Sequence, residues 1–328
     1  MRYEYVYDTH ASSRRLRQRR LKRIRKFFFS LFILLICLVI FLFIFKKARS
    51  NNLSQEIISP LAQSFNASVD TVKKIINPSS LDSVVKKSLN NTNGTYAVAI
   101  KNLKTGEAYY LSKNKKFESA SLYKLWVMVV AFRLIEKGQL DPDKVLVEDI
   151  TDLNIEFNIA TDDAELTEGT FELSVERAIK QMIVVSNNYA ALSLINEIRS
   201  SNIEKFLKDE GFINSTTNPL PTTTASDIAS FFEKLYVGKL AGKESTAKMI
   251  EILKNQQIND RLPKYLPEKI EVAHKTGELD KVKHDGGIVF TQKGDYVIVV
   301  LSESDSPKKA AEREAQLSKS VYEYFEKR

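Results

Sequence analysis

Residues 27–45, FFFSLFILLICLVIFLFIF, run for nineteen positions without a charge. As a helix rising 1.5 Å per residue, that run reaches roughly 28 Å, about the thickness of a bilayer's hydrocarbon core. The stretch just before it, RRLRQRRLKRIRK at 14–26, carries nine Lys/Arg in thirteen residues. Positive charge collects on the cytoplasmic side of a span, so residues 27–45 are read as a transmembrane helix and 1–26 as a basic cytoplasmic tail. A secretory signal peptide fits less well. Its apolar core is shorter and ends in small residues, whereas Lys46-Lys47 here follow bulky Phe and Ile. The expected topology is a single-pass protein of the cell membrane, with its N-terminus cytoplasmic and its folded domain extracytoplasmic.

The same division explains the charge. The chain carries +8 overall, but residues 1–49 hold thirteen basic and two acidic residues, which leaves the remaining 279 residues at −3. A mildly acidic domain has no nucleic-acid footprint, and no nucleic-acid partner is expected. The single cysteine, Cys37, falls inside the apolar run, and the three histidines are His10, His274 and His284. The exported part therefore has no disulfide and no thiol nucleophile, and a Cys- or His-based metal site is not expected. No metal or cofactor is expected, and the protein is expected to be a monomer.

Residues 46–80 are polar, with weakly amphipathic pieces broken at Pro60 and Pro78, and read as a stalk or a small helical membrane-proximal segment. From 81 onward the pattern tightens into a catalytic domain, 81–328. LDSVVKKSL reads as a helix, and GTYAVAIKNLKTGEAYYL as a hairpin turning at Lys104-Thr105-Gly106. A long apolar helix is expected over 119–140, two helices over 174–198 meeting at SNN, and further helices over 222–240 and 243–256. Three alternating strands follow, then a closing amphipathic helix over 307–326. Strands segregated to the two ends of the domain predict an α+β fold. It is an antiparallel five-stranded sheet flanked by helices, with a helical subdomain inserted.

Ser-x-x-Lys occurs at 83, 112, 121, 245 and 306, so the pattern alone selects nothing. Only Ser121-Leu122-Tyr123-Lys124 opens a strongly apolar helix directly after a strand pair. Three residues apart near a helix start, the two side chains share a face. A desolvated lysine there can take a serine's proton without help from histidine. The alternative is a capping serine with a lysine reaching to solvent. Ser186-Asn187-Asn188 interrupts an apolar helical stretch, where polar side chains either tie helices together or face a cleft. Lys275-Thr276-Gly277 ends an apolar strand, where a glycine lets a ligand's backbone approach the edge; as an isolated tripeptide it could equally be a turn. The earlier KTGE at 104–107 sits between paired strands and is read as a turn only.

Taken in order, these motifs are the set found in class A β-lactamases and penicillin-binding proteins. The segments KFESASLYKLWVM, MIVVSNNYAALSLI, TTTASDIASFFEKL and VAHKTGELDKVKHDGGIVF resemble that family over about 81–328. The resemblance implies Ser121 as an acylated nucleophile and Lys124 as its base. It implies Ser186 as a proton relay and Asn188 as a ligand for the substrate's side-chain amide. Lys275 and Thr276, beside Gly277, would hold the substrate carboxylate, and the backbone N–H groups of Ser121 and Glu278 would form an oxyanion hole. The implied partner is a β-lactam or a peptidoglycan stem peptide.

The sequence departs from that family in one place. The loop expected to carry a Glu that activates the deacylating water is reduced to GFINSTTNPLP at 211–221, with no carboxylate between Glu210 and Asp227. That departure predicts slow hydrolysis of an acyl-enzyme. Asn187 replaces a usual Asp, a change expected to affect helix tethering rather than proton transfer. The acidic stretch 147–169, with eight Asp/Glu, is either a solvated connection or a lip over the cleft that selects substrate. His284 is read as a packed surface histidine or a residue bordering the site, and Trp126 as core.

Overall fold

The computed structural model describes residues 80–328. The basic tail, the expected transmembrane helix at 27–45 and the stalk, apart from Ser80, lie outside the described residues. Among the described residues, no helix is long and apolar enough to cross a membrane.

The domain opens on helix α1 (Leu81–Ser88), capped by the Ser80 hydroxyl, which accepts from the Ser83 N–H at 3.2 Å. Strands β1 (Thr95–Asn102) and β2 (Ala108–Leu111) form the expected hairpin. Its turn is the first KTGE. The Asn102 side-chain oxygen accepts from the Lys104 and Thr105 N–H groups, and Gly106 takes φ +77°, which glycine adopts without strain. The last three strands are β7 (Val272–Glu278), β8 (Val282–Val289) and β9 (Tyr296–Glu303). Together the five make one antiparallel sheet in the order β2-β1-β9-β8-β7, which leaves β7 at a free edge.

Both faces of this sheet are covered. Val98, Ile100, Ile298 and Val300 pack under α1 and the C-terminal helix, Pro307–Glu326. Ala97, Ala99, Ala273, Ile288 and Val299 face the inserted helices. Burial on two sides explains why β8 is buried at every position instead of alternating. By the same parity, Lys275 and Gly277 lie on the helix-facing side with Ala273.

At the centre of the inserted region runs α2 (Lys124–Glu136), buried without interruption from Lys124 to Phe132, Trp126 included. A helix apolar all round belongs inside a domain, and here it carries one fully buried ionisable side chain, Lys124. Around it stand α4 (Val175–Val184), α5 (Asn188–Ile198), α6 (Ser200–Asp209) and α8 (Lys243–Lys254), while α7 (Ala225–Tyr236) packs on the sheet. The two helices expected over 174–198 do break at SNN. Sequence patterning missed the intervening short pieces. These are α3 (Ile150–Glu156), α6 (Ser200–Asp209), the strand pair β4–β5 (Val145–Asp149 with Thr170–Ser174) and the pair β3–β6 (Phe117–Glu118 with Thr222–Thr223).

Two expectations need correction. The helix expected from 119 begins only at Lys124; Ala120–Tyr123 form a 3-10 turn because Ala120 takes φ +45°, outside helical space. His284 is not a surface residue; it borders the site from behind, paired with Gly277 across the β7–β8 ladder. It is fully buried on β8, edge-on to Phe117, with Nε2 2.9 Å from the Glu118 carbonyl oxygen and Nδ1 beside both the Lys283 carbonyl oxygen at 2.7 Å and the Ser302 N–H at 3.1 Å. Burial pushes its pKa down to about 4. An unfolded chain protonates this ring near its ordinary 6.5, and the folded one only near 4. As pH falls through that window the unfolded state binds more protons and stability drops. The contribution is about 3 kcal/mol. Denaturant unfolding at about pH 7 and about pH 4.5 should show a smaller acid-induced loss for His284→Gln than for the parent protein.

Candidate active site

The site is assembled where three chain segments meet the free edge of the sheet. The first is the turn before α2. Ser119 is buried, and its N–H donates to the Pro221 carbonyl at 2.8 Å, which ties this turn to the short loop 211–221. Leu122 is fully buried and anchors the turn, while Ser121 stays partly exposed beside it. Three residues on, Lys124 points into the interior at 0% exposure.

The second segment is the break between α4 and α5. Ser186 sits at φ +59°, a left-handed conformation that costs a non-glycine residue of order 1 kcal/mol or more and turns the chain sharply between the helices. Asn187 caps α5, its side-chain oxygen accepting from the Ala190 N–H at 2.8 Å. The turn aims Ser186 and Asn188 at Lys124. The Lys124 amine donates to the Ser186 carbonyl at 2.5 Å, to the Asn188 Oδ1 at 2.6 Å and to the Ser186 Oγ at 3.2 Å.

The third segment is β7. Lys275 is fully buried and donates to the Ser186 Oγ at 3.0 Å and to the Thr276 carbonyl at 2.9 Å. Leu279 and Val282 exchange both backbone hydrogen bonds at the turn. In an antiparallel ladder such pairs alternate with open ones, so Glu278 and Thr276 occupy open positions with their N–H groups at the free edge. Gly277 lets this edge lie against the Ser121 turn. A Cβ there would sit 3.1 Å from the Ser119 carbonyl oxygen and 3.3 Å from the Ala120 Cβ. The second KTGE therefore lies at the cleft, and the first is a turn on the sheet's far side.

Electrostatically, the centre is two amines on one hydroxyl. Desolvation holds Lys124 down to about 7, with Glu165 pulling weakly the other way. Lys275 is held well below the ordinary lysine range by burial and then by the nearby Lys124. Two ammonium groups sharing one oxygen in a dry site repel, which favours a neutral amine at neutral pH. A neutral Lys124 has the lone pair a general base needs. Ser186, accepting from both amines, has one proton of its own to pass on, as a proton relay requires.

Residues 80–325 match the family described as "Beta-lactamase enzyme family". The chain belongs to the beta-lactamase enzyme family. It is a serine hydrolase of the β-lactamase type. No curated protein sequence matches it. Among solved structures, PBP-A is similar at a TM-score of 0.68 and 23% identity, covering 76% of this chain and 96% of its own. A β-lactamase from Sphaerobacter thermophilus DSM 20745 is similar at 0.65 and 22%, covering 76% and 97%. The TLA-3 extended-spectrum β-lactamase is similar at 0.64 and 20%, covering 75% and 99%. At these identities the likeness bears on the fold.

In this beta-lactamase family member the short loop is tied down by carboxylates at its two ends. Glu210 accepts from Arg133 at 2.7 Å and Lys234 at 2.9 Å. Asp227 accepts from the Asn214 N–H at 3.0 Å and the Ser215 hydroxyl at 2.8 Å. Both flanking acids are thus engaged in holding the loop.

Two features near the site escaped sequence reading. Glu278, singled out for its N–H, also has its side chain anchored by two cations, Lys283 and the fully buried Arg261, the latter at 2.6 Å. Arg261 also lies near the buried Glu314, whose carboxyl burial pushes well above its usual range. Behind Thr276, Asp285 accepts from His274 Nδ1 at 2.9 Å and from the Leu262 N–H at 3.1 Å. The other missed residue is Glu165, which reaches Asn188 from the acidic stretch. Neither Arg261 nor Glu165 belongs to a local pattern, so only the fold brings them to the cleft.

Proposed function

We propose that the protein is a membrane-anchored active-site-serine hydrolase. It transfers acyl groups through an acyl-Ser121 intermediate on β-lactams and on peptides ending in D-Ala-D-Ala. The observation that carries this reading is the Ser186 hydroxyl held between two buried amines, Lys124 at 3.2 Å and Lys275 at 3.0 Å, beside the Ser121 turn.

In this mechanism Lys124 takes the Ser121 proton as Oγ attacks the scissile carbonyl. The oxyanion is met by the N–H groups of Ser121 and Glu278, a kind of contact worth about 3 kcal/mol in the transition state. The C–N bond then breaks, and Ser186 delivers to the leaving nitrogen a proton drawn from the lysine pair. Asn188 binds the amide on the acyl side. Lys275 and Thr276 hold the substrate carboxylate. With a peptide, D-alanine departs; with a β-lactam, the opened ring stays attached.

Water must then cleave the ester. The loop 211–221 brings no carboxylate, and those at its ends are engaged, so deacylation is slow. That supports a D,D-peptidase or weak β-lactamase over an efficient β-lactamase. The same loop also favours a second reading, a sensor that is acylated without turnover. The apolar run 27–45 and the basic run before it support anchoring in the cell membrane with this domain outside.

The test is product release by the detergent-purified full chain. Under the enzyme reading, D-alanine accumulates over many turnovers from a diacyl-Lys-D-Ala-D-Ala peptide, or a chromogenic cephalosporin is hydrolysed slowly and continuously. One equivalent of product and no more supports the sensor. Release unaffected by Ser121→Ala would refute both.

A further inference from the structure

The acidic segment 147–169 enters the cleft at a single residue. Glu165 Oε1 accepts from Asn188 Nδ2 at 2.7 Å, while Asn188 Oδ1 accepts from Lys124 at 2.6 Å. The amide proposed to bind the acyl side of the substrate is thus bonded on its donor side to a carboxylate. The contact is built into the fold. Beside Glu165, the Leu166 N–H donates to the Tyr189 hydroxyl at 3.0 Å, and Asn154 Nδ2 donates to the Leu166 carbonyl at 2.8 Å. Tyr189 and Asn154 are both buried, and Tyr189 follows Asn188 on α5. One turn further, the Thr151 hydroxyl donates to the Thr167 carbonyl at 3.3 Å. Glu165 is itself exposed, so a pinned backbone presents its charge to whatever enters. Its field reaches the Lys124 amine and the Tyr123 hydroxyl, raising the proton affinity of each.

We infer that Glu165 determines acyl-side specificity, selecting acyl donors that carry an ammonium group next to the side-chain amide bound by Asn188 and disfavouring those that carry a carboxylate there. This rests on the roles of Ser121 and Asn188 proposed above. A substrate carbonyl that accepts from Asn188 Nδ2 must share or displace the Glu165 contact, and its substituent then faces the Glu165 carboxylate. An ammonium group can replace the lost bond with a charge-assisted one. A neutral substituent cannot, and a carboxylate meets like charge. Of the two readings open for 147–169, this assigns the lip to Glu165 and leaves the other exposed acids as solvated surface.

Three penicillins supply the test, because they differ mainly in charge at this position: α-aminobenzyl-, benzyl- and α-carboxybenzylpenicillin. Second-order acylation of the detergent-purified full chain would be followed by intact mass at mildly acidic pH, where the amine is charged. Glu165→Gln keeps an accepting oxygen for Asn188, so a merely structural role survives it while the charge is lost. The ratio of aminobenzyl to carboxybenzyl rates should be about tenfold higher in the parent than in Glu165→Gln, as expected for unit charges a few ångströms apart in water. It should shrink with added salt, and Glu165→Lys should invert it. Equal ratios in all three proteins, with Ser121 adducts forming, would overturn this inference and leave the proposed function standing. Failure of every probe to acylate Ser121 would overturn both.

Discussion

Lys124→Ala slows acylation of Ser121 by roughly 10²- to 10⁴-fold, the usual contribution of a positioned general base. The amine lies at 0% exposure, and Ser186 and Asn188 supply its three oxygen acceptors. Those bonds suit the ammonium form, but desolvation opposes it and brings the pKa to about 7. Below that value the amine is protonated and cannot accept from Ser121; above it the free base is present. The acylation rate should therefore rise with pH and level off once about 7 is passed. Lys275 is also a buried amine on Ser186, so the two must be told apart. Lys275→Ala should retain a rising limb, whereas Lys124→Ala should lose it along with most of the rate. Rates of labelling by a fluorescent penicillin across the neutral range provide the measurement. Near-parental labelling of Lys124→Ala with an unchanged profile would remove Lys124 from the role of base.

Lys275→Ala should lower kcat/KM for substrates bearing a carboxylate by roughly 30- to several thousand-fold. That corresponds to the 2–5 kcal/mol typical of truncating one partner of a buried charge pair. The same residue predicts a proton balance. Burial and the neighbouring Lys124 hold Lys275 well below the ordinary lysine range, which disfavours its charged form when no ligand is present. A carboxylate arriving beside it favours the ammonium form and raises its pKa. Binding should then draw a proton from solution. Calorimetry of Ser121→Ala, which cannot be acylated, with a penicillin in buffers of different ionisation enthalpy reads this directly. Net proton uptake on binding is expected, and its loss in Ser121→Ala/Lys275→Ala. Heats independent of buffer would mean that Lys275 is already charged before binding.

Much of this arrangement was legible in the sequence because it rests on local chemistry and chain order. The first copy of KTGE was legible as a turn from its flanks; the second was singled out only by its order after Ser-x-x-Lys and Ser-x-Asn. The first joins two short alternating runs and closes on Asn102; the second ends an apolar strand that proves to be the free edge of the sheet. The break at Ser186 was visible as a polar triplet in an apolar helix. The deleted carboxylate at 211–221 needed only reading. What escaped depended on through-space neighbours. Glu165 lies 23 residues from Asn188, in a stretch whose many acids look alike until Tyr189 and Asn154 fix one of them at the cleft. Arg261 meets Glu278 across 17 residues, and nothing in the surrounding sequence foretells a buried guanidinium there. His284 was misplaced because a lone histidine next to an acidic residue on a strand gives no sign of which face is covered. The 3-10 turn at Ala120–Tyr123 follows from a single backbone angle at Ala120, which an apolar periodicity cannot report.

Ser121 as the acylated residue is tested most directly by intact-mass spectrometry of the full chain mixed with benzylpenicillin and followed over time. Ser121→Ala would be run alongside, and the adduct located by peptide mapping. The expected result is one added penicillin per chain, mapped to Ser121, absent from Ser121→Ala, and persisting while hydrolysed drug accumulates only slowly. An adduct on another residue, or the same adduct in Ser121→Ala, would contradict an acyl-Ser121 intermediate.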